Sequence, residues 1–421
     1  MLKKIASTFI IKVLIAILNL AIVIVLSRHI GASGKGEASL IVTTIAMILI
    51  FCNMIGGSSL VYFVPRYNIF VLFIISNLWS IIICAISYFI FKSFAIIPAS
   101  FIVPVVLLSL INSFLETNLT ILLGKEKINS SNYIALLKTT INFTILWLLI
   151  KSYDQVNIDA YIYSLYASMG LGLIVSTILI LPYLKTVSFT GIKPLCYELF
   201  KLGFLNQAAH VMNFISFRFS YFLLVKYSGE SVLGVYSNGI SLTESLLLIT
   251  NSFATILYPK ISNSTDTESS QSITLKMTKM STLICILALI PLLLLPSSFW
   301  IWLFGNDFGG VKQVIYIIAP GILFYNIILI IGHYFSGTGN YKMNTMANFI
   351  GLIITVTASI LLIPTYGILQ AGIISTCSYL GIAIFVMISF AKESKIKMHH
   401  LFPTFRDFNW LINQVKGMLK Q

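Results

Sequence analysis

The chain reads as a succession of apolar blocks of roughly 20 residues joined by short polar connections, the length of helix that spans a bilayer core of about 30 Å. The blocks fall near 7–27, 39–63, 69–91, 98–123, 133–151, 161–183, 204–226, 233–257, 281–304, 314–335, 345–363 and 368–391. They predict about a dozen membrane-spanning helices, because inside lipid every backbone polar group must be satisfied within its own segment. The longest connection runs from Tyr258 to Met280 and contains the polar stretch from Ser262 to Gln271. No connection has room for a large extramembrane catalytic domain. The opening Met1-Leu2-Lys3-Lys4 leads into an apolar run without an A-x-A cleavage site, which reads as an uncleaved first span.

Composition agrees with this pattern. Of 421 residues, 58% are hydrophobic and 10% charged, and the mean hydropathy is +0.95. Ordinary soluble domains carry about 25% charged residues, so lipid must cover most of this surface. The net charge of +14 is a matter of topology and does not call for a nucleic-acid partner. With the N-terminus placed in the cytoplasm, Arg28, Lys35, Lys92, Lys151, Lys226 and Lys312 fall in outer connections, and the inner connections and tail carry about three times as many Lys and Arg. That bias places both termini in the cytoplasm. Cys52, Cys84, Cys196, Cys285 and Cys377 are scattered with no CxxC pair, so they read as small core residues, with neither a disulfide framework nor a zinc site. After Lys392, the residues Leu401, Phe402, Phe405, Phe408, Trp410, Leu411 and Ile412 alternate with basic ones. This basic tail reads either as an amphipathic segment on the inner membrane surface or as a frayed polar end.

The chain also repeats itself. Leu26-Ser27-Arg28-His29-Ile30-Gly31-Ala32-Ser33-Gly34-Lys35-Gly36 follows the first block, and Leu224-Val225-Lys226-Tyr227-Ser228-Gly229-Glu230-Ser231 follows the seventh. Tyr62-Phe63-Val64-Pro65-Arg66 closes the second block, and Leu257-Tyr258-Pro259-Lys260-Ile261 closes the eighth. Gly124-Lys125-Glu126-Lys127-Ile128-Asn129 after the fourth block is echoed by Gly337-Thr338-Gly339-Asn340-Tyr341-Lys342 after the tenth. The glycines suit tight reversals that need positive φ or close helix approach. Six spans separate the copies, so the halves keep the same orientation. The expected architecture is an all-α integral membrane protein of about 12 transmembrane helices in two parallel six-helix bundles around a central cavity. The boundaries are 1–190 for the first bundle, 191–391 for the second and 392–421 for the tail. Rocking one bundle against the other would expose such a cavity to each side in turn.

The Arg28-His29-Ile30-Gly31-Ala32-Ser33-Gly34-Lys35-Gly36 turn, the Tyr62-Phe63-Val64-Pro65-Arg66 exit and the Leu233-Gly234-Val235-Tyr236 entry to the eighth span together resemble the polysaccharide-biosynthesis flippases. These belong to the multidrug/oligosaccharidyl-lipid/polysaccharide exporter superfamily, and the O-antigen branch is the nearest. The resemblance extends to about Ala391. It implies movement of undecaprenyl-pyrophosphate-linked oligosaccharide repeat units to the outer leaflet of a bacterial plasma (inner) membrane. It implies as partners the lipid-linked oligosaccharide, membrane lipids, and the polymerase and chain-length regulator of the same pathway.

Few ionisable residues fall well inside the spans: Lys12, Glu116, Lys138, His210, Arg218, Glu244 and His333. A charge at mid-bilayer costs at least about 2.5–3.5 kcal/mol, so such groups face a cavity or a partner. Aligning Arg28 with Lys226 sets Lys12 against His210, giving each half a basic group at one level. Lys12, Arg218 and His210 are the candidate contacts for the phosphates of a lipid-linked glycan, Arg218 with a planar fork for phosphate oxygens. The structural alternative is an ion pair with Glu116 or Glu244 that fixes helix packing. Those two carboxylates are in turn candidate proton or sodium sites, or counter-ions to Lys12 and Arg218. Lys138 is placed to snorkel to the cytoplasmic interface. His333 reads as a satisfied or lumen-facing polar residue. Phe299, Trp300, Trp302 and Phe304 suit an interfacial aromatic belt.

No GxSxG, HExxH, P-loop or strand-borne GxGxxG occurs. The chain is therefore expected to be no enzyme and to need no cofactor beyond H+ or Na+ coupling. A drug exporter of the same architecture would show a more acidic lumen. A polymerase would need a long Arg-rich outer loop, and a membrane acyltransferase a buried His among polar partners.

Overall fold

A computed structural model of the chain describes residues 2–152, 157–184, 192–262, 264, 266–404 and 407–408. All regular structure among them is helical. The helices are α1 (Leu2–Gly56), α2 (Ser58–Phe63), α3 (Ile69–Phe94), α4 (Ala99–Gly124), α5 (Ile128–Ser152), α6 (Ile158–Ile180), α7 (Ile192–Ser228), α8 (Glu230–Ser245), α9 (Leu247–Ser262), α10 (Thr267–Leu294), α11 (Ser297–Phe304), α12 (Val311–Gly337), α13 (Tyr341–Tyr366) and α14 (Ile368–Glu393). Among the described residues, ten helical segments are long and apolar enough to cross a membrane. The first, Ile10–Phe63, runs through Gly31, whose φ of 73° and ψ of −173° break it into two.

Helices begin where the chemistry permits. Asn68 caps α3 by accepting from the amides of Phe70 and Val71 (3.0 and 3.3 Å). Asp266 caps α10 in the same way, accepting from Glu268 and Ser269 (3.0 and 3.3 Å). The second cap corrects the long connection expected between Tyr258 and Met280. α9 runs on to Ser262, and the polar stretch from Thr267 becomes the first turns of α10, because a helix start needs polar capping groups and a span does not. Lys35, expected in an outer connection, is buried, and its ammonium donates to Ser39 Oγ (2.6 Å). The helix resumes directly after Gly31, and Lys35 lies one turn into it.

The chain divides into two compact units. One runs to Val211 and takes in Leu303–Gly305; the other runs from Met212 to Trp302 and on from Asn306. The division between these compact units lies inside α7. In the first unit α1 packs on α3, α4 and α5, and α4 packs on α3 and α6, which pairs with α5. In the second, α12 packs on α8, α9, α10 and α14, which pairs with α13.

The repeat seen in the sequence recurs in the backbone of each unit. Gly229 links α7 to α8 with φ 87° and ψ 169°, nearly the conformation of Gly31. After α4, Glu126 turns to φ 58°, and the Lys127 amide donates to the Leu122 carbonyl (2.9 Å). After α12, Gly339 turns to φ 79°, and the Asn340 amide donates to the Phe335 carbonyl (2.8 Å). A Cβ on Gly124 would lie 2.6 Å from Val64 Cβ, and one on Gly337 would lie 2.8 Å from Ile261 Cγ2. The second and third sequence echoes therefore touch each other in both units.

The polar interior repeats too. In the second unit Asn326 of α12 donates to Thr282 Oγ1 of α10 (2.7 Å) and accepts from Thr250 Oγ1 of α9 (2.6 Å). All three residues are buried. In the first unit Cys52 and Cys84 are buried and lie near Ser80 and Ser113. Cys52 and Thr250, and likewise Cys84 and Thr282, are separated by the same length of chain as Gly31 and Gly229. The second unit thus joins α9, α10 and α12 through a hydrogen-bonded node, the kind of contact that associates helices in lipid, and the first unit sets small polar side chains at the matching positions.

Two aromatic and tail expectations change. Trp300 and Phe304 are core side chains of α11, and only Trp302 is exposed, at 65%. The start of the tail is docked on the second unit. Leu401 is buried within the core around Ile331, Tyr334, Val386 and Phe390. Lys279 of α10 pairs with Asp407 (3.3 Å). Burial pushes the Asp407 carboxyl up, but hydrogen bonds from the Thr404 hydroxyl and amide (2.6 and 2.7 Å) and the Lys279 ammonium outweigh it and hold the carboxyl below the usual range. Phe405, Trp410, Leu411 and Ile412 lie outside the described residues.

Candidate substrate site

The second unit contains a charged group surrounded by aromatic rings. Arg218 lies on α7 and Glu244 on α8. Arg218 Nη1 donates to Glu244 Oε1 (2.9 Å) and Nη2 donates to Oε2 (2.7 Å), a bidentate fork. Their side chains keep 25% and 22% of their accessible surface, so the pair is largely withdrawn from the surroundings without being sealed.

Four helices build the walls. One turn beyond Arg218 on the same face, Tyr221 stands with its ring centre 5.1 Å from the guanidinium carbon. Tyr236 of α8 packs edge-on against Tyr221 (5.7 Å) and is fixed at its hydroxyl by the Ala371 carbonyl (3.2 Å) and Ser375 Oγ (3.0 Å). Tyr325 of α12 and Tyr379 of α14 meet at 5.2 Å, and Phe217 of α7 touches both, at 4.8 and 5.0 Å. Gly321 allows that meeting. A Cβ there would lie 2.9 Å from Thr376 Oγ1 and 3.0 Å from Thr376 Cα and Tyr379 Cδ2, so glycine favours the close approach of α12 to α14 one turn away from Tyr325 and Tyr379. Tyr221, Tyr236 and Tyr379 are buried.

The sequence-predicted residues separate into three groups. Arg218 and Glu244 come together. Glu116 of α4 instead meets Lys138 of α5 at 3.9 Å, with side chains 38% and 27% accessible, so Lys138 is a packing partner as well as a snorkelling candidate. Lys12 and His210, matched by the repeat, are both exposed. His333 packs edge-on against the Tyr258 ring (6.0 Å). The aromatic walls were not individually legible. Tyr221 is signalled by its spacing from Arg218, whereas Tyr325 and Tyr379 are joined only by the crossing at Gly321. Among the described residues no cluster of His, Cys, Asp and Glu suits a metal ion.

Comparison with known proteins addresses the fold. No protein-family model matches the chain. The capsular polysaccharide biosynthesis protein CapF of Staphylococcus aureus is 28% identical over 157 residues, 35% of this chain and about two fifths (40%) of that protein's length. The lipid II flippase MurJ in an inward closed conformation superposes with a TM-score of 0.74 at 14% identity, covering 94% of this chain and 88% of that one. An inward-facing multidrug resistance MATE transporter of the MOP superfamily superposes with a TM-score of 0.70 at 14% identity, covering 90% and 94%. A MOP-superfamily transporter from Pyrococcus furiosus, described as having a binding pocket of reversed polarity, gives 0.64 at 13% identity over 94% of each chain. The chain is a multi-pass membrane protein with the fold seen in MurJ and the MATE transporters of the MOP superfamily.

Proposed function

We propose that the chain is a flippase that moves undecaprenyl-pyrophosphate-linked oligosaccharides, O-antigen units or those of a similar surface polysaccharide, across a bacterial plasma membrane by alternating access. The observation that carries this reading is Arg218, a fork-shaped cation of α7 set among aromatic side chains, on a fold seen in a lipid II flippase. A guanidinium binds phosphate oxygens bidentately, and tyrosine rings offer faces to sugars. Lys12 and His210 are proposed to add positive charge along the route. The partial likeness to a capsular polysaccharide protein supports a surface glycan as cargo. The excess of Lys and Arg in alternate connections supports cytoplasmic termini. Glu244, and less directly Glu116, are proposed as the sites of proton or sodium coupling, with no other cofactor. The polymerase and chain-length regulator of the same pathway are the expected partners.

The second reading is a cation-coupled drug exporter, favoured by the MATE likeness. One experiment separates them. The chain is expressed in a strain lacking its own repeat-unit flippase, with surface polysaccharide and drug tolerance both measured. Restored polysaccharide that is lost on Arg218→Ala supports the flippase. Raised drug tolerance without polysaccharide supports the exporter.

A further inference from the structure

Both terminal nitrogens of Arg218 are committed to one carboxylate. The two oxygens of Glu244 occupy the positions that two non-bridging oxygens of a phosphate would take on the same fork, because carboxylate and phosphate offer guanidinium the same bidentate geometry. The fork therefore stands closed to an anion by an anion of the chain itself.

The charge around it limits how it opens. The titratable groups around the pair are Tyr221 from α7, Tyr236 from α8, Tyr325 from α12 and Tyr379 from α14. Phenols are neutral near pH 7, so the group as a whole is neutral with Arg218 and Glu244 paired. A phosphate arriving beside a charged Glu244 leaves excess negative charge among apolar rings, which is costly. The pair keeps 25% and 22% of its side-chain surface, so it is not sealed by the chain itself.

We propose that Glu244 is an internal competitor for the substrate's phosphate. The diphosphate displaces the carboxylate from the Arg218 fork, and the displaced carboxylate takes up one proton from solvent. On release of the diphosphate, that proton leaves and the Arg218–Glu244 pair reforms. Loading is thereby linked to uptake of one proton, with no covalent bond made or broken. This rests on the flippase reading, in that it takes the diphosphate as the recognised group.

Farnesyl diphosphate, a soluble prenyl diphosphate, is the probe, and the full chain in detergent is titrated with it between pH 6 and 8. Glu244→Gln is expected to bind about tenfold tighter than wild type, with affinity no longer strengthened by lowering the pH relative to wild type. Glu244→Asp, which keeps the charge and controls for folding, is expected to retain weak, pH-dependent binding. Arg218→Met is expected to lose binding. Glu244→Gln binding no tighter than wild type while thermally as stable as Glu244→Asp overturns the proposal, and so does wild-type affinity indifferent to pH. The two readings fail separately. Restored polysaccharide with an unimproved Glu244→Gln removes the competitor and leaves the flippase. Tighter Glu244→Gln binding without restored polysaccharide keeps the exchange and removes the glycan.

Discussion

Removing one partner from the Arg218–Glu244 pair should cost far more than removing both. Arg218→Met leaves Glu244 facing only phenols, and Glu244→Leu leaves the guanidinium over Tyr221 with both fork nitrogens unpaired. Breaking a fully buried pair typically costs about 3–5 kcal/mol, whereas replacing both ions by apolar side chains is often neutral. Both side chains here keep close to a quarter of their surface, 25% and 22%. That accessibility screens the orphaned charge and brings each single substitution down to about 2–3 kcal/mol. The double variant Arg218→Met/Glu244→Leu should fall within about 1 kcal/mol of wild type. Thermal unfolding of the four proteins in one detergent measures this cycle. Singles that cost no more than the double would refute the ion pair as a stabilising contact. Surface polysaccharide scored on the same four variants then separates structure from function. A stable but inactive double variant assigns the charge to the substrate, and an active one assigns it to packing.

Other consequences are reached by single changes. Gly31→Ala and Gly229→Ala each force a Cβ onto a backbone at φ 73° and 87°, with an expected loss of about 1–3 kcal/mol apiece read from unfolding curves. Asn326→Ala removes hydrogen bonds of 2.6 and 2.7 Å inside the second unit. At about 0.6 kcal/mol per interhelical bond in lipid, plus the void left behind, the expected loss is roughly 1–3 kcal/mol. Gly321→Leu wedges α12 from α14 and should abolish farnesyl diphosphate binding along with stability, whereas Gly170→Leu, where a Cβ meets nothing within 4 Å, should leave both intact. The Asp407 carboxyl is held below the 3.8 of a free aspartate, so its contribution is complete at neutral pH and is lost as pH falls through its lowered value. Hydrogen exchange over residues 398–404 should rise on Asp407→Asn at pH 7, and in the wild type only in strong acid.

The repeat is the part of the fold that was most legible before any coordinates. Gly31 and Gly229 were visible because positive φ is nearly a glycine privilege, and both adopt it. The 126/339 pair was half visible, since one copy carries Glu126 where the other carries Gly339. The match at Cys52 and Cys84 was hidden, because thiols in one unit stand where Thr250 and Thr282 stand in the other. Those residue types share size and hydrogen-bonding ability but no sequence identity. Likewise Trp300 was read as interfacial, since its composition does not reveal that α11 turns it into the core.

The amino-acid sequence by itself determined that the chain is built of apolar helices long enough to span a bilayer, that turn motifs recur between its two halves and that few charges fall inside those helices. These are properties of local length, hydropathy and backbone freedom, which act on each segment before any packing. Only the tertiary structure decided which charges meet. Arg218 could have paired with either carboxylate. Its choice of Glu244 and the pairing of Glu116 with Lys138 depend on how helices meet, and the gathering of Tyr325 and Tyr379 on the close approach at Gly321. A crossing is set by side chains of two segments at once, so no single segment records it.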